Sequence, residues 1–154
     1  MATRIRTRTS DLYEQDLYAW STAQVELLRA GRLAELDLEH LTLEIEDVGA
    51  SLYREVRSRV RTIIEHLLKI EHSSAPAPRA GSERTLRIQR ADLVEDLTPT
   101  LRPRVERNLE RFYDVARIEA QMSLRAHGEE AAADALPQTC PYSLDQITGD
   151  WLPD

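Results

Sequence analysis

Four side chains near residue 40 have the types and spacing of a metal or acid–base site. Asp37, His40, Glu44 and Asp47 recur at i, i+3, i+7 and i+10. At about 100° per residue they share one polar sector of a helix. A carboxylate three residues before a histidine is how a bundle helix offers two ligands to one metal. The di-iron carboxylate bundles, however, need Glu-x-x-His on two helices and single glutamates from two more. No Glu-x-x-His occurs in this chain. A closed site would have to draw on Asp11, Glu14 or Asp16 for further ligands. The plainer expectation is a solvated acidic helix start, which the positive end of the helix dipole favours. No metal and no cofactor is assigned.

The remaining candidates are weaker chemistry. Glu55, Arg59 and His66 lie along one flank of the same helical pattern and read as a polar seam. His66 stands 22 residues from Glu44, about 33 Å along an unbroken helix, so the two cannot share a site. Cys140 sits in LPQTCPYSLDQI among acids, which raise a thiol's pKa, so it reads as a small apolar anchor and not a nucleophile. Phosphate-cradling glycine loops, nucleophile elbows and paired-cysteine motifs are absent from the sequence. Arg84, Arg87, Arg90, Arg102 and Arg104 form the densest basic region. Their plainest counterpart is the acidic tail of the same chain, where six acids and no Lys or Arg follow Gly128.

The elements that must position these groups are helices. Ser10 can cap a first helix with Tyr13, Leu17, Trp20, Gln24 and Leu27 on one face and Gly31 as its stop. Asp37 can cap a second whose stripe reads Leu38, Leu41, Ile45, Val48, Leu52, Val56, Val60, Ile63, Leu67 and Ile70. SSAPAPRAG, residues 73–81, reads as a linker, followed by a third helix from about Ser82 to Leu97. A fourth starts at a Pro103-bearing turn and ends near Gly128. Runs of β-branched residues with period two do not occur. The reading is all-α: a bundle of about four main helices around one long second helix, with a short helix in the C-terminal tail. Residues 37–72 as one rod would span about 54 Å, against a diameter nearer 40 Å for a compact domain of this length. Gly49 interrupts the stripe where Ala or Leu would serve the helix better. Close packing of another helix at Gly49, with a mild bend, is the expectation, and a homodimer the alternative.

Composition bounds the rest. The 154 residues are 42% hydrophobic and 31% charged, with a net charge of −7 and one cysteine. A chain of this length buries a real core without disulfides. The single cysteine points to a reducing cytoplasm. Apolar runs of membrane-spanning length are absent, and so no membrane partner is expected. Arg4, Arg6 and Arg8 mark residues 1–10 as a basic arm before one helical domain over 11–154. Acidity argues against nucleic acid, whose affinity rests on phosphate neutralisation.

Set in order, several segments resemble one bacterial family, known as domain of unknown function 29. They are DLYEQDLYAW, LAELDLEHLTLEIEDVGASLYREVRSRV, HLLK, TLRIQR and LPQTCPYSLDQI with the following WLP, from about Leu12 to Pro153. Asp16, Trp20, Gly49, Arg90 and Cys140 are among the matching motif positions. The chain has Ile70 and Ser82 where the family tends to carry tryptophans. The resemblance implies an all-helical fold and carries no assigned activity over to this chain. The weak catalytic candidates and the length of the second helix make a non-enzymatic interaction or self-association module the expected role. The alternatives are an acid–base or metal enzyme on the Asp37 sector, and a small regulatory partner in a two-component system.

Overall fold

The computed structural model describes residues 11–153, so the basic arm over residues 1–10 and the Ser10 cap lie outside the described residues. All regular structure among these residues is helical, with no strand. None of their helices is long and apolar enough to cross a membrane. The chain divides into two compact units, one ending at Ser51 and one starting at Leu52, where the sequence was read as a single domain over 11–154.

The first unit begins with a helical turn over residues 11–15 and continues as α1, Leu17–Arg29. The break falls at Asp16, whose extended backbone and carboxylate cap the helix by accepting from the Ala19 amide at 2.9 Å. Gly31 ends the segment at φ 68°, a left-handed conformation that suits glycine. A 3-10 turn, Leu33–Glu35, then leads into α2, Leu38–His72, which contributes residues to both units. Trp20, Gln24 and Leu36 are the buried side chains among the described residues of this unit.

In the second unit, α2 packs with α3 (Pro76–Asp96), α4 (Arg102–Arg107) and α5 (Leu109–Ala126). Two short tail helices follow, α6 (Glu130–Asp134) and α7 (Leu144–Thr148). The core runs along the second half of the α2 stripe, through Val56, Val60, Ile63, Leu67 and Ile70. It meets Leu86 and Leu93 of α3, Phe112, Tyr113, Ala116 and Ala120 of α5, and Leu144 and Ile147 of α7. Burial of side chains this size is worth about 1.5–3 kcal/mol each. Ser143 and Gln146 form a reciprocal capping box at the start of α7.

Three expectations need correction. The linker over 73–81 shrinks to residues 73–75, because α3 already starts at Pro76, in the first turn where proline's missing amide costs nothing. The fourth helix is two helices, α4 and α5, parted at Asn108, whose φ of −108° and ψ of 7° are non-helical. Its side-chain amide donates to the Arg104 carbonyl at 2.8 Å, giving a partner to an acceptor at the break. Finally, α2 continues through Gly49 without interruption, and a Cβ built there would meet nothing within 4 Å. Among the described residues, the close-packed helix expected at Gly49 is absent.

Of the expected pairing between basic region and acidic tail, one ion pair forms, Arg102 with Asp145, and Arg90 meets the tail's backbone instead. Buried Arg90 donates from Nε to the Ile147 carbonyl at 3.0 Å, and from Nη2 to those of Gln146 and Trp151 at 2.8 Å each. The guanidinium thus satisfies carbonyls in and beyond the last turn of α7, where a cation is favoured. Arg102 reaches Asp145 at 2.5 Å from the other side.

Two outcomes follow. Gly49→Ala should raise stability in urea titrations by about 0.5–1 kcal/mol, since alanine is the better helix former and finds open space. A loss would mean that some group packs against Gly49. Arg90→Lys cannot reproduce the planar fork and should cost about 2–3 kcal/mol. Limited proteolysis should then cut first within residues 144–153.

Candidate functional site

The polar sector of α2 is covered, not solvated. Tyr13 lies over it with its ring stacked on His40, centroids 4.0 Å apart at 26°. The Tyr13 hydroxyl donates to Glu44 Oε1 at 2.6 Å. Trp20 meets Tyr13 edge-on at 5.0 Å, and its indole Nε1 donates to Asp37 Oδ2 at 3.2 Å. The same oxygen is 2.7 Å from His40 Nδ1. Asp37 therefore serves two side chains at once, while its own amide donates to Gln24 Oε1 at 2.9 Å.

Electrostatics follow from this geometry. Burial works to raise the pKa of Asp37, but hydrogen bonds from His40 and Trp20 outweigh it and hold the carboxyl below its usual range. The Tyr13 hydroxyl is pushed up, first by its hydrogen bond to the Glu44 carboxylate. An Asp–His contact of this kind fixes the imidazole's orientation. The carboxylates of Asp37 and Glu44 are both engaged by aromatic donors from the N-terminal segment. Asp47 stands exposed on the next turn. Asp11 and Glu14 are exposed, and Asp16 is the α1 cap, so the extra ligands sought there take no part in the cluster. Among the described residues no group of three or more His, Cys, Asp or Glu is arranged to hold a metal ion.

The second unit separates the supposed polar seam. Arg59 joins Glu55 at 2.8 Å, Asp92 at 2.7 Å and Asp96 at 2.9 Å, tying α2 to α3. His66 belongs elsewhere: its Nδ1 is 3.0 Å from the hydroxyl of buried Ser82. Burial, with the nearby Lys69 charge, pushes the His66 pKa down, so the ring is neutral near pH 7. A cavity of about 270 Å³ opens beside this pair, with Lys69, Ser73 and Glu129 on its walls. Those groups already answer one another or close neighbours, Lys69 with Glu65 at 2.8 Å and Ser73 with Glu129 at 2.8 Å.

Cys140 packs on the core and donates its thiol to the Tyr142 carbonyl at 3.4 Å. Burial pushes its pKa up, which suppresses thiolate. Its neighbour Tyr142 donates to Glu71 Oε2 at 2.6 Å, and buried Tyr113 has its hydroxyl pushed up to about 12. Ile70 and Ser82 are both buried. Tyr13, Trp20 and Gln24 are the members of the first cluster that spacing alone assigned to a core stripe. Gln24 was the available signal, since a glutamine on an apolar face needs a polar partner inside.

The family described as Domain of unknown function DUF29 matches residues 12–152, nearly the whole chain, so the chain belongs to that family. No curated protein and no solved structure matches it.

The hydrogen bonds of Asp37 give a pH signature. Because its folded pKa is lowered, its contribution is fully present above its unfolded value of about 4 and is lost as pH falls through the folded value. Asp37→Asn should therefore cost about 1–2 kcal/mol at neutral pH. That deficit should shrink below about pH 4. Trp20 fluorescence in a Trp151→Phe background reads the first unit. A deficit unchanged by acid would show that the charge of Asp37 contributes nothing.

Proposed function

We propose that this member of a family without assigned activity is an interaction module, whose first unit docks an amphipathic, basic-flanked helix of another protein. One observation carries the reading. The apolar stripe of α2, fully buried from Val56 onwards, is open to solvent in the first unit, where Leu38 is 59%, Ile45 70% and Val48 63% exposed. These three share a face with Gly49, whose missing side chain would let a partner backbone come close. On α1, Leu17, Tyr18, Val25 and Leu28 are exposed as well. Exposed apolar surface of this extent, with a polar rim, is what interaction sites present.

Charge selects the partner. Residues 37–51 hold Asp37, Glu39, Glu44, Glu46 and Asp47 and neither Lys nor Arg. A second copy of the same face would bring like charges together, whereas lysines or arginines flanking an apolar helix face would complement it. The engagement of Asp37 and Glu44 by Trp20 and Tyr13 supports a structural role for the polar sector beneath. The cluster holds the α2 start against the N-terminal segment and so keeps the apolar stripe in a fixed helical register.

The test uses a purified partner identified by crosslinking in the native host. Ile45→Glu with Val48→Glu should weaken its binding by about 100-fold or more, with helicity unchanged by circular dichroism. Binding should also weaken as salt is raised. A double variant that binds like wild type, or a wild-type homodimer that the double variant dissolves, would overturn the proposal.

A further inference from the structure

A separate concentration of charge lies in the second unit. Arg57 and Arg61, one turn apart on α2, face a cavity of about 270 Å³ together with Arg104 of α4 and Arg111 of α5. Asn108, Tyr53 and Phe112 complete the walls. The chain is acidic overall, with a net charge of −7, so four arginines around one space run against its composition. One carboxylate answers them directly: Arg61 Nη2 is 3.1 Å from Glu119 Oε1. Arg104 is held by the face of Tyr53, with its guanidinium carbon 3.9 Å from the ring centroid. The Nε atoms of Arg57 and Arg61 are buried without a hydrogen-bond partner.

Such an arrangement is costly as it stands. Like charges gathered round one space repel, the more so where Arg57 and Arg61 are half-buried, and their buried Nε donors forfeit hydration without an acceptor. Contrast Arg59, on the same helix, which is met by three carboxylates. Among the described residues, the cluster around Arg57 sets one carboxylate, Glu119, against four arginines, whereas the neighbouring cluster sets three against one. Guanidinium forks present paired donors that fit the oxygens of a phosphate group better than any other side chain does. The cavity is the size of a small molecule, and the rings of Tyr53 and Phe112 give it an apolar wall beside the cationic one.

We infer that the cavity formed by Arg57, Arg61, Arg104, Asn108 and Arg111 binds a small phosphate-bearing molecule with two or more negative charges. The site is independent of the apolar face of the first unit. Its ligand supplies acceptors to the guanidinium cluster and cancels its self-repulsion, so occupancy stabilises the second unit by mass action.

Inorganic pyrophosphate is the probe, read by isothermal titration calorimetry and by the thermal midpoint of the intact chain. It should bind with one-to-one stoichiometry, raise the midpoint, and weaken as chloride is added. Arg57→Gln should weaken binding about tenfold or more, the loss expected for one charged hydrogen-bonding group. It should leave the unliganded protein as stable as wild type or more so, because it relieves repulsion. Arg111→Gln, at an exposed position, should weaken binding similarly and covers the case in which Arg57→Gln fails to fold. Arg84→Gln, on α3 and outside the cavity, should bind as wild type does. Absence of binding at millimolar pyrophosphate would overturn the inference. So would equal losses in the Arg84 and Arg111 variants, or binding of a polyglutamate peptide where pyrophosphate is inert.

Discussion

The second half of α2 is a rod with no solvent-facing apolar side, and the second unit is organised around covering it. Val56, Val60, Ile63, Ile64, Leu67 and Leu68 are each fully buried, on a face too broad for one neighbouring helix to cover. The angle subtended by those residues is wider than the seam of a coiled coil, so the chain must return several times. It does so with α3, with α5 and its small residues Ala116 and Ala120, and finally with tail residues including Tyr142, Leu144 and Ile147. Alanine on α5 lets that helix approach closely, and aromatic Phe112 and Tyr113 fill the wider end. Polar groups are then fitted to what packing leaves. Arg59 gathers three carboxylates at the edge, and Arg90, inside, takes backbone carbonyls instead.

The first unit solves a different problem. It buries few side chains, with Trp20, Gln24 and Leu36 the buried ones among its described residues. Hydrogen bonds to Asp37 and ring contacts between Tyr13, Trp20 and His40 therefore carry a larger share of its cohesion. Such contacts are directional and local, whereas apolar burial is not. That difference explains how one continuous amphipathic pattern can be a core in one unit and an open face in the other. The polar network fixes the α2 start without requiring its apolar stripe to be covered.

Much of this was legible in the residues. The all-helical class, the extent of α2, the stop at Gly31 and the Arg102–Asp145 pair follow from periodicity, glycine position and charge, whereas Arg90 holds the tail by its carbonyls and not its acids. The α2 stripe located the core correctly from Val56 to Ile70 and misplaced it from Leu38 to Leu52. Periodicity records which face is apolar, not whether anything lies against it. The proline-rich start of α3 was read as linker because composition outweighed position: the same prolines are compatible with a helix only in its first turn. Asp37, His40 and Glu44 were found as a group, but not Tyr13 and Trp20 above them. Their partnership depends on a chain reversal that spacing within a single helix does not encode. The grouping of Arg57, Arg61 and Arg111 with Arg104 around Tyr53 escaped notice for the same reason, being divided between α2, α4 and α5.

Arg90 adds a consequence in time. Its guanidinium is shut in by carbonyls at residues 146, 147 and 151, and Leu144 and Ile147 close the core above it. During synthesis these segments leave the ribosome after every other described element of the second unit. Until they arrive, the cation at Arg90 has no carbonyl cage, and part of the α2 rod lacks its cover. Vectorial synthesis thus leaves the second unit incomplete until residues 144–151 are available. A nascent chain stalled short of them would present its apolar surface to chaperones and proteases, coupling quality control to a single buried arginine.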